Sequence, residues 1–133
     1  MTRSPDPGAT MSPAPELEAA GLEALEALGW GDNSDVRDID EDLWHIVIRN
    51  NFGSIWARPG LSLRERELIT IAVLVAIGAK GVSKHFKLAH AVGLTDVEVK
   101  EAVLQVLPYA GLPKVLEAMN AFKAIRGGAE PSL

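Results

Sequence analysis

A handful of side chains in this sequence could do chemistry, and they cluster. Arg58, Arg64 and Arg66 stand close together in a chain whose formal net charge is −5, with Trp56 beside them. Guanidinium groups grip carboxylates in a planar, two-point geometry, so the cluster suits an anionic small molecule. The same arginines can instead form ion pairs with Glu65, Glu67 and Asp96. Glu67 directly precedes an apolar run, where a partly buried carboxyl can serve as general acid or base. Its other reading is a first-turn glutamate favoured by the helix dipole. His85 has Ala89 and Val92 at i+4 and i+7 and therefore faces the apolar side of its helix, as a proton-transfer group or as a satisfied core histidine. His90 lies roughly 140° further around that helix, so the two cannot chelate one metal from one face. Tyr109, in PYAG at a helix break, can donate into a cavity or cap a carbonyl. His45 sits at the edge of its helix stripe. No phosphate loop, dinucleotide fingerprint, HExxH or GxSxG is present, and three scattered histidines make a poor metal site.

Positioning these groups falls to the stretch from Leu61 to His85. Ser62 and Glu65 form a capping box, and Gly78 supplies a stop. Between Leu68 and Ile77 only Thr70 interrupts the apolar residues, which predicts a helix apolar on every face and surrounded by protein. It is too short to cross a bilayer, which takes about twenty residues. Its β-branched content leaves a buried strand as the competing reading, and the cap and the glycine favour the helix.

Upstream, residues 1–15 are rich in proline and read as a disordered tail. A helix over 16–28 places Leu17, Gly21, Ala24, Leu25 and Leu28 on one face, and a polar connector follows over 29–39. Asp38 or Asp40 caps a helix carrying Leu43, Trp44, Val47 and Ile48. Residues 52–60 read as a turn or helical bend broken at Pro59-Gly60. Downstream, a short helix over 83–92 ends at Gly93, and Thr95 with Glu98 makes a second capping box. Pro108 kinks or ends the helix that box opens, and Pro113 starts the last one. The expectation is an all-α fold of about six helices, with its main domain over 40–127 and a tail from 128.

The chain has 133 residues, 47% of them apolar and 5% aromatic, so Leu, Val, Ile and Ala must build a single core. Its acidity argues against a general nucleic-acid binder. Without cysteine it has no disulfide, thiolate metal site or thiol redox chemistry. No secretory signal is visible, which fits a cytoplasmic protein.

FGSIWARPGLSLRERELITIAVLVAIG, then His85, Ala89, GLT and PYAGLPKVLEAMNAF, together resemble the carboxymuconolactone decarboxylase family, within the alkylhydroperoxidase D-like group. The likeness covers roughly Asp40 to Ile125. It implies an all-α homo-oligomer, a trimer or hexamer, with helices buried between chains. The peroxidase branch of that group carries CxxC before its histidine. Here GAKGVSKH keeps His85, with Glu67 in the preceding helix, but has no thiol and a turn one residue shorter, so thiol peroxidase activity is excluded. The decarboxylase branch is matched by Trp56, Arg58, Pro59, Gly60, Arg64 and Arg66. Gln105 stands where that branch has a second histidine.

The resemblance implies a cofactor-free, metal-free decarboxylase, or a related proton-transfer enzyme, acting on a small carboxylated lactone or cyclic acid like 4-carboxymuconolactone, with neither nucleic acid nor membrane as a partner. His85 and Glu67 are the candidate catalytic residues, and Trp56, Arg58, Arg64, Arg66 and Tyr109 the candidate substrate-binding ones. A non-catalytic binding or scaffold oligomer of the same fold is the alternative.

Overall fold

The computed structural model describes residues 14–128, so the expected tails over 1–15 and from 128 lie outside them apart from Gly128 and from Ala14 and Pro15, which begin a helix instead. The regular structure of the described residues is all helical, in seven α-helices, one π-helical segment and one 3-10 turn. They divide into two compact units, residues 14–26 with 30–59 and residues 27–29 with 60–128.

The first unit contains most of α1 (Ala14–Ala27), with α2 (Ser34–Ile39), α3 (Glu41–Ile46) and a π-helical segment (Val47–Trp56). The predicted face of α1 is buried as expected. The connector over 29–39 departs from expectation, because six of its residues form α2. Asp40 then caps α3, its Oδ2 accepting from Leu43 N–H at 2.8 Å. The segment read as a turn or bend is largely π-helical, with Ala57 N–H donating to Phe52 C=O at 2.9 Å across five residues. It meets α1 backbone to backbone. A Cβ on Gly21 would overlap the Ile48 carbonyl, and one on Gly53 would overlap that of Leu17. Trp56 stacks on Phe52 at 6.0 Å.

The second unit holds α4 (Leu63–Ile77), α5 (Val82–Leu88), the 3-10 turn Ala89–Val92, α6 (Asp96–Ala110) and α7 (Leu112–Arg126). Both predicted capping boxes are formed, and Gly78 ends α4 at φ 70°, in the left-handed region that glycine adopts without steric cost. Ile71, Val75, Val82, Phe86, Val99 and Val103 build the core, and Phe86 meets Phe122 edge to face at 5.3 Å.

One expectation is corrected here and another is narrowed. Within one chain α4 is not surrounded. Glu67, Ile71 and Val75 point inward, while Ile69, Val73 and Ile77 form an outer apolar stripe, each more than half exposed. Of the kink or end expected at Pro108, the end does not occur, since α6 runs on to Ala110. The proline leaves the Leu104 carbonyl without its usual donor, and the helix continues past it for two residues.

Candidate functional site

Glu67 opens the buried stripe of α4, one turn after the capping box has set the helix's direction. His85 belongs to the buried face of α5, with Val82 and Phe86. Packing of the two helices brings His85 Nδ1 into direct hydrogen-bond contact with Glu67 Oε1. With the carboxylate as acceptor, Nδ1–H donates, which fixes the tautomer and leaves Nε2 as the nitrogen able to exchange a proton elsewhere. The side chains are 9% exposed for His85 and 1% for Glu67, so solvent reaches the pair through the imidazole. Glu67 Oε2 is buried and has no hydrogen-bond partner among the described residues. A buried acceptor in that condition costs about 1–3 kcal/mol, more when charged. Functional sites are where such a cost is commonly retained.

The remaining predicted residues are placed differently. Arg64 pairs with Glu98, not with the Glu65, Glu67 or Asp96 that the sequence suggested. Glu98 also accepts from Thr95 N–H at 3.1 Å in its capping box, so one carboxylate ties the start of α6 to α4. No sequence spacing signals that second role. Arg66 is partly buried on α4. Tyr109 is 84% exposed, and Gln105 is exposed too. Trp56 and Arg58 belong to the first unit, Trp56 partly buried and Arg58 exposed. The Ser62 amide, and then its hydroxyl, hold the Glu65 carboxyl below its ordinary value of 4.5.

Elsewhere on the second unit, a cleft of about 420 Å³ is lined by residues of α4, α5 and α7, none of them among the seven predicted site residues. Among the described residues no group of three or more His, Asp or Glu side chains is placed to hold a metal ion. Nor is any helix among them long and apolar enough to cross a membrane.

A buried His–Glu pair joining two consecutive helices of a cysteine-free helical unit is the geometry to set beside known proteins. Residues 41–124 match the Carboxymuconolactone decarboxylase family. The 4-carboxymuconolactone decarboxylase of Acinetobacter baylyi is 37% identical over 86 residues, 64% of this chain and 64% of that protein. The nitrosuccinic acid decarboxylase npaB of Metarhizium robertsii is 38% identical over 71 residues, 51% of this chain and 48% of that protein. The chain thus covers less than two thirds of either relative's length. The family match spans both partners of the buried pair and most of the described residues, and the chain belongs to the carboxymuconolactone decarboxylase family.

Proposed function

We propose that this chain is a cofactor-free decarboxylase of a small, multiply carboxylated acid. The observation that carries the reading is the buried contact between His85 Nδ1 and Glu67 Oε1 in a member of a decarboxylase family. The compounds that name the two relatives share a chemical feature. In 4-carboxymuconolactone and in nitrosuccinic acid, the electron pair freed by carboxylate loss can pass into an acceptor that the substrate already carries, an unsaturated lactone carbonyl or a nitro group. An enzyme for such substrates holds the anion, strips water from the departing carboxylate and returns a proton to carbon.

In this reading the C–C bond breaks, carbon dioxide leaves, and the electron pair comes to rest as an enolate or nitronate. His85 Nε2–H protonates the carbon and recovers its proton from solvent. Glu67, closed to solvent, is a positioning residue that orients the imidazole and stabilises its charged form. The substrate-binding roles of Arg64, which pairs with Glu98, and of Arg66 rest on the family pattern, as do those of Trp56, Arg58 and Tyr109. Assembly into a homo-oligomer is part of the proposal, since it gives the Ile69, Val73 and Ile77 stripe an apolar partner.

The test is turnover of 4-carboxymuconolactone and of nitrosuccinate, followed by carbon dioxide release. The expected result is turnover of one or both, reduced about 10²–10⁴-fold in His85→Gln with helicity unchanged. Folded wild-type protein inert toward both compounds defeats the decarboxylase reading. The near-complete burial of the His85–Glu67 pair favours a second one, a non-catalytic binding protein of the same fold, and the same inert result supports it.

A further inference from the structure

The cleft of about 420 Å³ on the second unit has a definite chemical character. Leu74 and Val75 from α4, Val82 from α5, and Ala118 and Ala121 from α7 give it an apolar lining of short side chains. Its cations are Lys80 and Lys114, Ser83 adds a hydroxyl, and Glu117 is the one carboxylate in the lining. Two ammonium groups against one carboxylate make a positive spot on a chain of net charge −5. Neither lysine has an ion-pair partner among the described residues.

Lys114 is drawn into this cleft by a specific feature of α4. Its Nζ lies 2.6 Å from where a Cβ on Gly78 would stand, with Cδ and Cε at 3.4 and 3.5 Å. The lysine therefore lies across the bare Cα of the glycine that ends α4. Any side chain at position 78 would displace it, quite apart from the strain at φ 70°. Gly78 thus both stops the helix and makes room for a partly buried ammonium at the mouth of an apolar hollow. The volume falls at the lower end of the range for small-molecule sites, where an apolar lining with few fixed polar groups is usual.

We propose that this cleft binds a small amphiphile with a single anionic head, the tail against Val75, Val82 and Ala121 and the head between Lys80 and Lys114. The site contains none of the residues given to decarboxylation, so it does not depend on that reading. Full-length protein is titrated calorimetrically with octanoate, octyl phosphate and the uncharged octanol, and amide shifts in NMR spectra locate the contact. At least one of the anions binds, with shifts at residues of the cleft, and octanol binds about tenfold more weakly or less. A preference between octanoate and octyl phosphate identifies the head as carboxylate or phosphate. Lys80→Ala with Lys114→Ala weakens anion binding about tenfold or more, Ala121→Phe blocks it by filling the hollow, and His85→Gln leaves it unchanged. The two lysine substitutions remove partly or fully exposed groups and leave the core intact, so the proposal stays testable even if Ala121→Phe fails to fold. Failure of both anions to bind, octanol binding equal to theirs, undiminished affinity in the double lysine variant, lost affinity in His85→Gln, or shifts away from the cleft would each overturn it.

Discussion

Each compact unit sets a histidine against a glutamate, and the two pairs differ in what surrounds them. In the first unit, His45 Nδ1 lies 3.4 Å from Glu18 Oε1, with side chains 32% and 24% exposed, and Arg49 Nε shares the same carboxylate at 3.2 Å. In the second, His85 and Glu67 meet inside the core. The first pair is only half-buried, and ion pairs open to solvent contribute about 0–1 kcal/mol. The second pair is almost wholly closed to water, with side chains 9% and 1% exposed. Residue type is the same in both places, and the degree of burial separates the two contacts. The units also differ in how they cohere. The first relies on glycines that let two helical backbones touch, the second on interlocked apolar side chains.

The sharpest way to break this comparison is to remove the acid from each pair. Glu67→Ala removes the buried hydrogen bond to Nδ1 and is expected to lower unfolding free energy by about 1–3 kcal/mol, whereas Glu18→Ala changes it by no more than about 1 kcal/mol. Denaturant titration of the two variants side by side checks this, and equal losses would erase the distinction drawn from burial.

Backbone contact in the first unit is probed by Gly21→Ala. The added methyl overlaps the Ile48 carbonyl, and a loss of about 1–3 kcal/mol is expected, confined to amides of residues 14–26 and 30–59 in hydrogen exchange. A neutral result would mean that α1 and the π-helical segment can separate at little cost.

A smaller effect belongs to the start of α4. Ser62→Ala removes an N-cap and should cost about 1 kcal/mol. Because the Ser62 hydrogen bonds keep the Glu65 carboxyl below 4.5 in the folded chain, the unfolded chain binds the proton more readily. The stability this contributes is present above 4.5 and lost as pH falls through the folded value. Ser62→Ala keeps the amide, the larger cause, and removes only the hydroxyl, so it should flatten the acid limb of the stability profile in part, and a steeper limb would contradict this account.

Much of the second unit was legible because its signals are local. A capping box needs residues three positions apart, so Ser62 with Glu65 and Thr95 with Glu98 announced two helix starts, and Gly78 and Gly93 announced stops. The spacing of His85 from Ala89 was enough to turn the imidazole inward. The π-helical stretch was not legible, because FGSIWARPG carries turn residues and nothing in their spacing specifies hydrogen bonds five residues apart.

Taken alone, the sequence determined that the chain is helical, where most of its helices begin and end, that no thiol chemistry is open to it, and which imidazole faces inward. Each of these follows from residue type or from neighbours within one or two helical turns. Tertiary structure decided which face of α4 is core, because both faces are apolar and periodicity cannot choose between them. It also decided that Glu67 meets His85 across 18 positions, that Arg64 is neutralised by Glu98, and that Lys114 rests on Gly78. Those contacts join separate helices, and their partners are set by packing rather than by spacing along the chain.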